Sequence, residues 1–231
     1  MARHLPEVRL FSLEEGAAAA VGTVVVIDVF RAFTTAAVAL ERGAMRVLMV
    51  ADIDTALSLR SAGAVDVCVG ERHAAKPSGF DFGNSPAALA RADLTGRRIA
   101  LTTSNGTRGL IAARGATRLF AGALVNAGAT VAAIQAERPR VVSLVAMGSR
   151  AGRAAEDELC ALYLRSRLLG LHPDSASVAA AIRALVAPIP EALQRSGDYP
   201  PEDRAIALDI DSVPIAAPVG SKGEHLAVGR R

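Results

Sequence analysis

The chain has 231 residues, 51% of them hydrophobic and only 3% aromatic, with no tryptophan and a formal net charge of +3. That apolar content suffices for a sizeable core in one α/β domain spanning residues 1–231. The scarcity of rings excludes a base-stacking single-strand binder, and no run of Lys and Arg points to nucleic acid.

The opening stretch MARHLPEVRLFSLEEG carries acids and has no long apolar core, so it does not read as a signal peptide. The apolar stretch 17–27 is interrupted by Gly22 and stops at Asp28, too short to span a bilayer. A cytoplasmic protein with no membrane partner is the expectation. Short β-branched runs then alternate with Ala- and Leu-rich helical patterns. Strands are predicted at 23–27, 46–50, 65–69, 98–102, 118–121 and 141–146, with a late one at 205–210. Val24 to Ile27 run apolar without alternation, as in a strand covered on both faces. Helices are predicted at 34–41, 53–61, 86–92, 106–113, 127–136, 154–169 and 176–186. Asp52 can cap the second of these, and Ser85 followed by Pro86 reads as a cap with proline in the first turn. Prolines at 188, 190, 200, 201, 214 and 218 predict an irregular segment from about 188 and a frayed tail after 218. Cys68 and Cys160 have neither metal nor disulfide spacing and read as small buried hydrophobes. A phosphatase cysteine loop needs Arg six residues on, where Ala74 and Ser166 stand. The alternation predicts a largely parallel or mixed sheet with helices on both faces, its active site at the carboxyl ends of the strands.

Those ends carry the chemistry. The first strand is followed by Asp28, Arg31, Thr34 and Thr35. The third opens onto GERHAAKPSGFDFGNSP, residues 70–86, a polar loop in an apolar chain and so a candidate for binding or catalysis. The fourth delivers Thr102, Thr103, Ser104, Asn105 and Gly106; the fifth leads to Asn126; the sixth to Ser149, Arg150, Glu156 and Asp157. Each has an ordinary explanation. Asp28 could cap a helix for about 1 kcal/mol, and Glu156 and Asp157 could answer a helix dipole for roughly 0.3–1 kcal/mol. Together, however, Asp28, Glu71, Asp81, Glu156 and Asp157 would crowd five negative charges at one sheet edge, which raises carboxyl pKa values. A divalent cation offsets such repulsion, and an all-oxygen set suits Mg2+ rather than zinc. Arg31 supplies a forked donor for phosphate, and the turn TTSNGTRG adds backbone N–H groups. A metal beside an oxyanion cradle is the equipment of phosphoryl chemistry.

The blocks IDVFRAFTT, GERHAAKPSGFDFGNSP, LTTSNGTRG, GALVNAGA and AEDELCA, in this order over residues 24–170, resemble the 2-phosphosulfolactate phosphatase family. The resemblance continues to about residue 215. It implies a three-layer α/β/α fold and Mg2+-dependent hydrolysis of (2R)-2-phospho-3-sulfolactate to sulfolactate and phosphate, a step toward coenzyme M. Carried over, it implies catalytic roles for Asp28, Arg31, Glu71 and Asp81, and carboxylate metal ligands drawn from Asp28, Glu71, Asp81, Glu156 and Asp157. Substrate contacts would come from Arg72, Asn84, Ser85, Thr103, Asn105, Gly106, Thr107 and Asn126. A substrate bearing sulfonate and carboxylate needs further cations, for which Arg72, Arg108, Arg150 and Arg153 are candidates. Phe30, Phe33 and the Arg- and Ala-rich MGSRAGRAAED depart from the family pattern, which leaves another small anionic phosphate ester as the alternative substrate. Direct attack by Asp28 is the less favoured route, because the general-acid position two residues on is Phe30. A dinucleotide enzyme would need a glycine-rich turn where Asp28-Val29-Phe30-Arg31 stands. The remaining alternative is a non-catalytic module that holds a phosphorylated metabolite. A small phosphorylated anion is the expected partner, with a homodimer open.

Overall fold

The computed structural model describes residues 5–103, 105–149 and 151–230. Its first half runs β1 (Glu7–Ser12), α1 (Leu13–Ala19), β2 (Thr23–Ile27), α2 (Ala32–Glu41), β3 (Arg46–Met49), α3 (Ile53–Ser61), β4 (Val67–Gly70), β5 (Phe82–Gly83), α4 (Pro86–Ala90), β6 (Arg98–Thr102) and α5 (Gly106–Ala112). There follow β7 (Arg118–Gly122), α6 (Ala127–Glu137), β8 (Val141–Ala146), α7 (Ala155–Leu168), α8 (Ser175–Leu185), α9 (Glu191–Ser196), α10 (Pro201–Ala207), β9 (Pro218–Lys222) and β10 (His225–Val228).

The ten strands form one mixed sheet in the order β1-β8-β2-β7-β9-β10-β3-β6-β4-β5. It consists of two parallel halves. β1, β8, β2 and β7 are mutually parallel, as are β3, β6, β4 and β5. The β9–β10 hairpin joins them with antiparallel pairing at both seams, so the halves run in opposite senses.

Successive side chains of a strand point to opposite faces, and this sorts the core. Val24 and Val26 pack with Phe33, Leu40 and Leu110 under α2 and α5. Val25 and Ile27 pack with Ile134 and Leu164 under α6 and α7. Leu48, Cys68 and Ala100 of the other half meet Ala56 of α3. Helices therefore cover both faces, giving three layers, and β2 is buried throughout as its unbroken apolar run predicts. Cys68 and Cys160 are both free and buried. Asp52 caps α3 through Thr55 N–H at 2.7 Å, and Ser85 caps α4 through Ala88 N–H at 3.2 Å.

Two expectations fail. Residues 205–210 do not form a strand. Pro201 occupies the first turn of α10 with Glu202 and Asp203 behind it, a helix start that outweighs the apolar run. Nor does the chain fray after Pro218. Lys222 pairs with His225 across a two-residue turn whose Gly223 has φ +61°, as primed hairpin turns require, and the hairpin lies inside the sheet. Among the described residues no helix is long and apolar enough to cross a membrane.

Candidate active site

The loops after β2 and β8 in one half meet those after β4, β5 and β6 in the other around a cleft of ≈ 290 Å3. Three carboxylates from separate segments line it: Asp28, Glu71 and Glu156. Asp28 is buried, and its Oδ1 accepts from Ala32 N–H at 3.1 Å, so it also caps α2. Burial pushes its carboxyl up to about 7; the Ala32 N–H opposes this, Glu156 and Glu71 add to it, and Arg31 draws it back. Burial likewise raises Glu156, against its own backbone N–H and Arg204. Glu71 Oε2 accepts from Ala74 N–H at 2.8 Å, pinning a tight turn in which His73 and Ala74 carry φ +55° and +66°.

The cleft wall also holds buried polar atoms without a hydrogen-bond partner among the described residues, Asn84 Oδ1 and Thr103 Oγ1. Such groups are rare in folded interiors because each forfeits its solvation. Here both residues border the cleft. Asn105 lines the same cleft and donates from Nδ2 to the Gly148 carbonyl at 3.2 Å, tying the β6 loop to the β8 loop. Gly106 sits hard against this arrangement. A Cβ there would meet Ala32 Cβ at 2.9 Å and Asp28 Oδ2 at 3.1 Å, so only glycine lets α5 approach α2 beside Asp28.

Arg31 reaches the cleft as the sequence suggests, in company that the sequence did not disclose. Its Nη1 donates to Asp203 Oδ2 at 2.6 Å and to the Asp198 carbonyl at 2.8 Å. The Tyr199 ring lies 3.7 Å from the guanidinium carbon and lines the cleft. Tyr199 and Asp203 fall in the segment read as irregular, just ahead of the expected strand at 205–210. A double proline followed by two acids marks a helix start there, but nothing local names Arg31 as the partner.

Other expected site residues do different work. Asp81 is not on the cleft: its Oδ2 accepts from Cys68 N–H at 2.8 Å and pairs with Arg60 at 3.1 Å. Asp157 is buried and does not line the cleft as its neighbour Glu156 does. Both its oxygens are taken at 2.8 Å, by Val29 N–H and Gly148 N–H, so it staples the β2 loop to the β8 loop. Burial and the neighbouring Asp28 hold its carboxyl well above the ordinary range. Ser85 donates its hydroxyl to Asp203 Oδ1 at 2.6 Å. Arg72 binds the Ala51 carbonyl, Thr102 Oγ1 and the Glu71 carbonyl at 2.7–2.9 Å, bracing the loop rather than facing the cleft. Asn126 is fully buried, holding Ala123 N–H at 2.9 Å and the Ala121 carbonyl at 3.3 Å. Thr107 is buried and outside the lining. Arg108 pairs with Glu14, and Arg153 with Glu158 through two bonds of 2.8 Å. Ser104 and Arg150 lie outside the described residues.

A family model described as 2-phosphosulpholactate phosphatase matches residues 11–199. The chain is 38% identical over 141 residues to a probable 2-phosphosulfolactate phosphatase of Thermoplasma acidophilum, covering 61% of this chain and 63% of that protein. It is 39% identical over 160 residues to one from Synechococcus sp. (strain CC9605), covering 67% and 65%. With one from Parasynechococcus marenigrum the identity is 36% over 183 residues, 76% of each. The chain thus spans a little under two thirds of the length of the first two relatives, 63% and 65%.

Proposed function

The chain belongs to the 2-phosphosulpholactate phosphatase family, and on that premise we propose that it hydrolyses a small phosphate ester with further acidic groups, of the 2-phosphosulfolactate type, with Mg2+ as cofactor. The observation that carries this reading is the convergence of Asp28, Glu71 and Glu156 with Arg31 on one cleft whose wall holds Asn84 Oδ1 and Thr103 Oγ1 unpartnered.

The donor chemistry fits Mg2+. The candidate ligands are oxygens, and burial together with like charge penalises ionised Asp28, a penalty a cation relieves. Among the described residues no three His, Cys, Asp or Glu side chains are grouped to hold an ion by themselves. Mg2+ does not need three, since it binds through one or two carboxylates and completes its shell with water and substrate phosphate. Asp28 and Glu156 are the residues that would hold it. When bound, the ion supplies Lewis-acid polarisation of a phosphoryl oxygen.

The chain's own groups do the rest. Arg31 presents N–H donors to the phosphate from a fixed plane. Thr103 Oγ1 donates to a second phosphate oxygen, and Asn84 Oδ1 accepts from the water that attacks. Glu71, the third carboxylate on the cleft, orients that water and takes its proton.

The test is phosphate release from (2R)-2-phospho-3-sulfolactate and a panel of small phosphate esters, with and without Mg2+, for the natural protein and for Arg31→Lys. Mg2+-dependent release that the substitution sharply reduces, to a rate still measurable, is the expected result. Ester binding without release from any member of the panel would overturn the reading and leave a non-catalytic binding module.

A further inference from the structure

The segment 198–204 straddles the end of the family match at residue 199 and gathers around Arg31. Asp203 is fully buried and divides its oxygens. Oδ1 accepts from Ser85 Oγ at 2.6 Å and Ala87 N–H at 3.0 Å, both at the start of α4. These two donors fix the rotation of the carboxylate, and Oδ2 is thereby aimed at Arg31 Nη1, 2.6 Å away. The Asp198 carbonyl takes the same nitrogen at 2.8 Å, and Tyr199 covers one face of the guanidinium at 3.7 Å. A guanidinium has five N–H donors on a rigid fork. Here one nitrogen is committed to the protein, and the residue still lines the cleft.

We propose that Asp203 is the positioning residue for Arg31: held by α4, it sets the guanidinium plane so that the uncommitted N–H groups face the phosphoryl group. This rests on the phosphatase reading above and goes beyond it, because it assigns part of the site to the chain beyond the family match. The pair is formally neutral, so Arg31 acts through oriented donors rather than through surplus charge.

The test is a double-mutant cycle between Asp203→Asn and Arg31→Lys in the full chain with Mg2+. In Asp203→Asn, Ser85 and Ala87 retain the oxygen, so the amide nitrogen falls against Arg31 Nη1, donor to donor. The variant keeps the links to α4 and breaks one contact. Its kcat for phosphosulfolactate should fall about 100-fold, the scale of a misplaced reacting group, and the double variant should be no worse than Arg31→Lys alone. Multiplying losses, or an unchanged kcat in Asp203→Asn, would overturn the proposal. If the natural protein releases no phosphate from any ester, the phosphatase reading fails. The same cycle read as Kd for inorganic phosphate then decides the positioning claim, with coupled losses supporting it and independent losses sinking it. Should Asp203→Asn not fold, Tyr199→Leu replaces it. That change should lower kcat, or phosphate affinity, by about 10-fold with Arg31 present and not in the Arg31→Lys background. Equal losses in both backgrounds refute the claim.

Discussion

Asp28→Asn exchanges a buried carboxylate for an amide of the same outline. Its oxygen can keep the Ala32 N–H bond of 3.1 Å, and its NH2 group can turn toward Glu156 and Glu71. The sign of the pH dependence follows from linkage. A carboxyl raised to about 7 in the folded protein binds its proton more tightly there than in the unfolded chain. Stability is therefore lost as pH rises from about 4 to about 7 and stays low above that. The interval from about 3.9 to about 7 corresponds to about 4 kcal/mol, and relaxation around the ionised group leaves about 2 kcal/mol as the observable part. Part of it runs through Asp157, whose carboxyl is also held up by Asp28. At about 2–4 °C per kcal/mol for a chain of this size, Asp28→Asn should raise Tm by roughly 4–8 °C at pH 8 and by little at pH 4.5. The assay is thermal unfolding by circular dichroism in EDTA at both pH values, with phosphate release measured alongside and expected to vanish. An equal Tm change at both pH values, or destabilisation at pH 8, would refute the claim that burial and the neighbouring acids penalise ionised Asp28 in the metal-free protein.

Gly106→Ala should destabilise by about 1–3 kcal/mol in urea unfolding and depress turnover, because the new methyl meets Ala32 and Asp28 at 2.9 and 3.1 Å; natural values of both would disprove the close-approach argument. Asp81→Ala should keep turnover within about 2-fold while losing about 1–2 kcal/mol, because Cys68 N–H loses its acceptor far from the chemistry. A 10-fold loss of kcat in that variant would return Asp81 to the site. Mg2+ should raise Tm by an amount that shrinks between pH 8 and pH 6, since protonation of Asp28 below about 7 competes with the ion. A fluorimetric melt with and without MgCl2 reads this directly, and no shift at pH 8 would count against the cation.

Much of the fold is legible in the sequence because buried parallel strands have little freedom. The expected strands 23–27, 98–102 and 141–146 coincide with β2, β6 and β8, each an apolar run bounded by turn residues. Where pattern and punctuation disagree, punctuation wins. Ala205 to Leu208 could be helix or strand by apolarity alone, and Pro201 with two acids decides for α10. The hairpin β9–β10 was lost for a different reason: proline and polar residues look like a tail unless Gly223 is read as a turn. In the site, strand-end position finds Asp28 and Glu71, whereas Asp81 lies just ahead of β5 and bonds back to Cys68. Glu156 and Asp157 could have been told apart, since neighbours on a helix cannot share a direction. Tyr199 and Asp203 could not, because their link to Arg31 spans about 170 residues of chain and leaves no local trace.

The placement of the acids gives the two-part sheet a functional consequence. Asp28 and Glu156 follow strands of one parallel half, and Glu71 and Thr103 follow strands of the other. The cleft is therefore not the carboxyl rim of one uniformly parallel sheet, as doubly wound folds would have it, but a junction between the two parallel halves of a single mixed sheet. Polar contacts cross that junction, Asn105 to Gly148 and Arg31 through Asp203 to Ser85, and so does apolar packing, with Val24, Val26 and Phe33 of one half in the same core cluster as Met49, Val69 and Leu101 of the other. Among the described residues, the halves are joined within the sheet by β9 and β10 alone. Hydrogen bonds of this kind hold orientation but each contributes only about 1 kcal/mol, so the spacing that the cleft acids need rests on the hairpin and on this shared core together. The distance between Asp28 and Glu71, and with it the repulsion that favours a cation, thus depends in part on strands beyond residue 217.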